Sequence, residues 1–102
     1  MTSVRFEWDE AKNLSNQRKH DGVSFETACQ VFQDPLHVST QDRIESGEQR
    51  WQTVGAVQGF VILLVAHTIT EDDDGGSVEI IRIISARRAT PRERRRYENE
   101  NG

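Results

Sequence analysis

The stretch Phe60–Ile69, FVILLVAHTI, constrains this chain more than any other. It is an apolar run rich in β-branched residues, and Gln58-Gly59 in front of it is a hairpin-turn signal. A run of this kind is a central strand covered on both faces of a sheet. Val78–Arg87 (VEIIRIISAR) returns as a second central strand. Arg50–Val57 (RWQTVGAV) precedes them as a third, with Gly55 either weakening its middle or allowing a close approach. Short connections join the three, which predicts an antiparallel meander. Leu36–Thr40 is a candidate short strand, whereas Gln41–Glu48 and the acidic, glycine-containing Thr70–Ser77 read as loops. Only 34% of the residues are hydrophobic, so the core of this 102-residue chain must be concentrated in these few segments.

The flanking segments supply helices. Val4–Trp8 alternates Val4, Phe6 and Trp8 against Arg5 and Glu7, the period of a half-buried edge strand. Asp9 is an N-cap for a helix to about Lys19, with a thin apolar stripe of Ala11 and Leu14. Lys12, Asn16 and Lys19 share another face of it. Asp21-Gly22 ends it. Ser24 caps a second helix whose Phe25, Ala28, Cys29 and Phe32 form a core face, and Asp34-Pro35 stops it. These two are expected to form a hairpin over one face of the sheet. Thr90-Pro91-Arg92-Glu93 is a capping box with proline at the first helical position, opening a helix to about Glu98 and then a frayed tail. The expected fold is α+β: a small, mostly antiparallel sheet with an N-terminal two-helix hairpin and a C-terminal helix, residues 1–102 forming a single domain.

Charge is segregated. The chain carries −4 overall, yet seven of its thirteen Lys and Arg lie between Arg82 and Arg96 against a single acid, Glu93. Such polarity offers a positive pole to an anionic partner. Arg82 lies between isoleucines in a central strand and is the only charge on the face of Val78, Ile80 and Ile84. It must either pair, with Glu48 or Glu79, or open onto a cleft as a phosphate clamp. Ser85 and Arg87 are expected on the opposite face, with Arg88 and the helix arginines beside them as a basic wall. Taken singly, Arg92, Arg94, Arg95 and Arg96 are more ordinarily solvated. Tyr97 is a core anchor by default, or a stacking surface for a base.

His20, at the end of a basic helix, is the better acid–base candidate, and His67 reads as a core histidine. The single Cys29 excludes an internal disulfide and reads as a small core residue. The three histidines and one cysteine lack metal-ligand spacing, and no glycine-rich phosphate loop is present. No apolar run is long enough to span a bilayer, and a cytoplasmic location is expected. A metal-free route to RNA cleavage stays open: arginines neutralise charge at phosphorus while Lys, His or Glu moves protons.

FEWDEAKNLSNQRKH, then GVSFETACQVFQDP, then GEQRW, then RIISARRATPRERRRYE resembles, in that order, the BrnT family of bacterial type II toxins. The resemblance extends from Phe6 to Glu98. It implies a RelE-like fold and a metal-independent endoribonuclease, without cofactor, that shuts down translation. It also implies a BrnA-type ribbon-helix-helix antitoxin, operator DNA reached only through that complex, and dimerisation within it. The family's characteristic polar residues fall on Trp8, Lys12, Lys19, His20, Glu48, Arg50, Arg82, Ser85, Arg87, Glu93 and Tyr97. Lys19, His20, Glu48, Arg82 and Arg87 are then the catalytic candidates; Lys12, Arg50, Ser85, Arg88 and Tyr97 are those for binding substrate. Asp21, inserted where the family reads Lys-His-Gly-Val, and the net acidity motivate an alternative: an inactive relative that only binds an antitoxin and tunes repression. A nucleic-acid-binding module without chemistry is a third class, to be recognised by salt-sensitive binding without product.

Overall fold

The computed structural model describes residues 3–72 and 78–101. A five-stranded sheet has the order β1-β5-β4-β3-β2, formed by β1 (Ser3–Glu7), β2 (Val38–Glu45), β3 (Glu48–Val57), β4 (Val61–Glu71) and β5 (Val78–Arg88). The meander β2-β3-β4-β5 is antiparallel throughout, and β1 adds to β5 in parallel at the edge. Three helical segments complete the α+β fold: α1 (Glu10–Lys19), α2 (Phe25–Ala28), which tightens into a 3-10 turn over Cys29–Gln33, and α3 (Pro91–Asn101).

The two faces of the sheet are covered unequally. Phe25, Ala28 and Val31 of α2 and its 3-10 turn pack against Leu63, Val65, Ile81 and Ile83, all of them buried. Full burial of the larger of these, Phe25, Val31, Leu63, Val65, Ile81 and Ile83, contributes about 1.5–3 kcal/mol each. Gly55 permits the close contact of this layer: a Cβ there would meet Val31 Cγ1 at 2.9 Å and Val31 O at 3.0 Å. On the other face α3 lays Tyr97 on Val54 and Leu64 and covers only part of the sheet. The remainder of that face is open.

Four sequence expectations change. The segment read as the loop 41–48 is mostly strand: β2 runs to Glu45, and Ser46-Gly47 turns tightly at φ 52° and 79° into β3. The acidic loop shrinks, because β4 continues to Glu71, and 73–77 lie outside the described residues. The tail beyond Glu98 is helical to Asn101, whose side-chain amide donates to Leu36 O at 2.8 Å. The stripe of α1 is polar: Ala11 and Leu14 are exposed, while Asn13 and Asn16 are buried.

Candidate active site

The site begins with an irregularity in β5. Ala66 of β4 faces Ser85, but the next residue, His67, faces Ile83, so Ile84 is an extra residue. Such a bulge sets two residues opposite one. Ile84 and Ser85 stand over Ala66 on the open face, while Ile83 and Ala86 turn to the buried side. Arg82 faces Thr68 and Arg87 faces Leu64, which share a side with Ala66 by strand alternation. Arg82, Ser85 and Arg87 therefore lie on one face, which overturns the expectation that Arg82 opposes the other two. A strict two-residue period does not allow for the inserted Ile84. Nor is Arg82 buried: it is exposed, between buried Ile81 and Ile83, and no ion pair to it exists among the described residues.

The α1 helix forms one wall of the open face. Asp9 accepts from Lys12 N–H at 3.2 Å and fixes the helix start. Lys12, Ser15, Lys19 and His20 line a cleft of about 270 Å³ against Ile84 and Ser85. A second cleft, of about 360 Å³, abuts it, sharing Lys12, Ile84 and Ser85. Its far wall is the β2–β3 hairpin, with Asp42, Arg43, Glu45 and Arg50, and Ala66 is in its floor. Together they make one trough with cations on both banks.

Arg50 stands out in this trough. Its side chain is only 23% exposed, and the Glu45 carboxylate lies 4.0 Å from its Nε. That is too far for a hydrogen bond, and the buried Nε–H has no acceptor. A buried donor left unsatisfied costs on the order of 1–3 kcal/mol. Glu45 is itself held by Arg43, Nη2 to Oε2 at 3.2 Å.

Of the ten candidates, the structure brings five to this trough: Lys12, Lys19, His20, Arg50 and Ser85. Arg82 shares the open face but lines neither cleft. Arg87 is engaged elsewhere: it grips Glu93 with both terminal nitrogens, at 2.8 and 3.0 Å, which raises its pKa and lowers that of Glu93. Tyr97 is 9% exposed, so its ring is taken up by the core rather than offered to a base. Glu48 sits exposed at the start of β3, opposite Glu45; the hairpin acids in the trough are Asp42 and Glu45. Arg88 and Asp21 lie together in a separate pocket with Val23 and Leu63.

Asp42, Arg43 and Glu45 escaped sequence reasoning because their segment was taken for a loop. The Ser46-Gly47 pair was the available signal for a hairpin. His67 is fully buried, with Nε2 2.7 Å from Thr53 Oγ1 and its ring edge-on to Phe32. Burial pushes its pKa down to about 4. Burial likewise pushes the Cys29 thiol up to about 11, so it is no nucleophile at neutral pH. Among the described residues no three His, Cys, Asp or Glu side chains converge as metal ligands.

Residues 8–93 match the family model described as the ribonuclease toxin, BrnT, of type II toxin–antitoxin systems. The structure is similar to the crystal structure of the Brucella abortus ribonuclease toxin, BrnT, with a TM-score of 0.57 and 22% identity. That alignment covers 87% of this chain and 99% of the Brucella chain. At such identity the likeness speaks to the fold. None of the curated proteins matches the chain.

Proposed function

Because the chain belongs to the BrnT ribonuclease toxin family of type II toxin–antitoxin systems, we propose that it is an endoribonuclease that cleaves RNA in the trough between α1 and the β2–β3 hairpin. The observation that carries this reading is Arg50, a largely buried cationic side chain that lines the same cleft as Lys12 and Ser85.

The chemistry is metal-independent. The substrate's 2′-oxygen attacks the adjacent phosphorus in line, and the bond from phosphorus to the 5′-oxygen breaks. The products are a 2′,3′-cyclic phosphate and a 5′-hydroxyl. Arg50 and Lys12 hold the non-bridging oxygens as negative charge builds on them. The Ser85 hydroxyl orients the scissile phosphate, and Arg82 holds a neighbouring phosphate farther along the open face. His20 or Lys19 exchanges the two protons, taking one from the 2′-hydroxyl and returning one to the leaving oxygen. Arg87 acts at one remove, by fixing α3 beside the trough.

The fold is of the RelE kind at the level of its helix pair and meander. Cleavage stops translation in the cytoplasm. A BrnA-type ribbon-helix-helix antitoxin neutralises the protein, and operator DNA is met only through that complex, within which dimers form. The inactive-relative alternative rested on Asp21 and the net charge of −4; Asp21 belongs to the Arg88 pocket and lines neither cleft.

The test is incubation of antitoxin-free protein with total RNA in EDTA, beside Arg50→Ala and Arg82→Ala. Wild-type protein cleaves, and Arg50→Ala slows cleavage on the order of 10²–10³-fold, as loss of one charge-stabilising donor does. Equal rates for wild type and Arg50→Ala would remove the trough as the site. Abolition by EDTA would remove the metal-free route.

A further inference from the structure

We infer that Asn16 is a positioning residue for this site, acting by standing in for a missing strand. The inference rests on the ribonuclease reading above. β1 accompanies β5 only as far as the Glu7–Arg82 pair. Beyond Arg82 the edge of β5 has no strand beside it, yet Ala86 there is fully buried. Its backbone N–H and C=O would be costly if left unpaired. Asn16 satisfies both. Its Oδ1 accepts from Ala86 N–H at 3.2 Å, and its Nδ2 donates to Ala86 O at 2.8 Å and to Val23 O at 2.9 Å.

One carboxamide thus reproduces the paired donor and acceptor of a neighbouring backbone. Few side chains can do this: Asp has no donor when ionised, and Gln carries the amide one methylene farther out. The clamp closes next to the bulge, one residue beyond Ser85. On α1 it sits four residues after Lys12 and three before Lys19, one turn from each. The separation of α1 from β5, and with it the width of the trough between Lys12 and Ser85, is therefore set at Asn16. An error of about 1 Å in such a distance costs on the order of 100-fold in rate.

The experiment is a double-mutant cycle on RNA cleavage, using Asn16→Asp, Lys12→Ala and the pair. Circular dichroism and thermal melting show which variants are folded, and Asn16→Ala serves where Asn16→Asp is not. The expected result is a folded Asn16→Asp whose kcat falls 10- to 100-fold and in which adding Lys12→Ala costs little more. Two residues serving one geometry are non-additive in this way.

A merely structural Asn16 would lower the active fraction and leave the full Lys12→Ala penalty in place; that outcome overturns the inference. So does a folded Asn16→Asp that cleaves like wild type. If neither Asn16 variant folds, Lys12→Ala and Ser85→Ala alone decide, because wild-type rates in both mean there is nothing to position. Wild-type protein that fails to cleave RNA at all indicts the ribonuclease reading instead. Amide exchange at Ala86 then judges the clamp: at least tenfold faster in Asn16→Asp supports it, and unchanged exchange refutes it.

Discussion

Asp34 gathers three separated parts of the chain on one carboxylate. Its Oδ2 accepts from Ala56 N–H at 2.8 Å and from the Tyr97 hydroxyl at 2.5 Å, and its Oδ1 accepts from Leu36 N–H at 3.0 Å. Burial alone would raise its pKa; the three donors outweigh burial and hold it below the usual carboxylate value. A carboxyl depressed in the folded state adds stability above its unfolded pKa, about 4, and loses it as pH falls through the folded value. Tyr97→Phe removes one donor to a charged group and should cost about 1.5–3 kcal/mol at pH 7. The cost should shrink below pH 4, which melts at pH 7, 5 and 3 will show. Gly55→Ala should destabilise by about 1–3 kcal/mol, since the added methyl presses on the Val31 backbone. Melting temperature tests it. At this scale the Gly55 approach and the core role of Tyr97 were legible in the sequence. Asn13 and Asn16 were not: a buried asparagine depends on distant backbone partners, which no local pattern announces. Asn13 is one such residue, taking Phe25 N–H at 2.8 Å and donating to Glu26.

At the level of elements, α3 is fastened at both ends and the middle. Thr90 and Glu93 complete a capping box, with bonds of 2.9 and 3.3 Å. Arg87 grips Glu93, Tyr97 reaches Asp34, and Asn101 reaches Leu36. Thr90→Ala should cost about 1 kcal/mol, the ordinary worth of an N-cap, and leave RNA cleavage intact. Denaturant unfolding and a cleavage assay on the same samples check both halves. The box was readable because its four residues are contiguous. The extra length of α3 was not, because its last turn is held by Leu36 from across the fold. The bulge at Ile84 was equally hidden. The run Ile81–Ser85 reads as uninterrupted strand, and only its register with β4 reveals the surplus residue, so Ser85 was assigned to the wrong side.

For the whole molecule, His67 makes stability depend on mild acid. Its folded pKa near 4 lies well below the ordinary value of 6.5. The unfolded chain therefore takes up a proton first, and stability that is complete above about pH 6.5 drains away as pH falls toward 4, by on the order of 3 kcal/mol. Melting temperature should drop across that window in wild type and drop less in His67→Gln. The order of elements and the antiparallel meander were legible from hydrophobic runs and turn residues; the trough was not, because α1, the β2–β3 hairpin and the β5 residues that line it are far apart in sequence. That has a kinetic consequence. Asn16 meets Ala86 across 70 residues of sequence, and such a distant contact closes late in folding. During synthesis, at about 5–20 residues per second, the N-terminal wall must wait several seconds for its counterpart to leave the ribosome. A half-made chain therefore lacks an assembled trough, which takes shape only once β5 has left the ribosome.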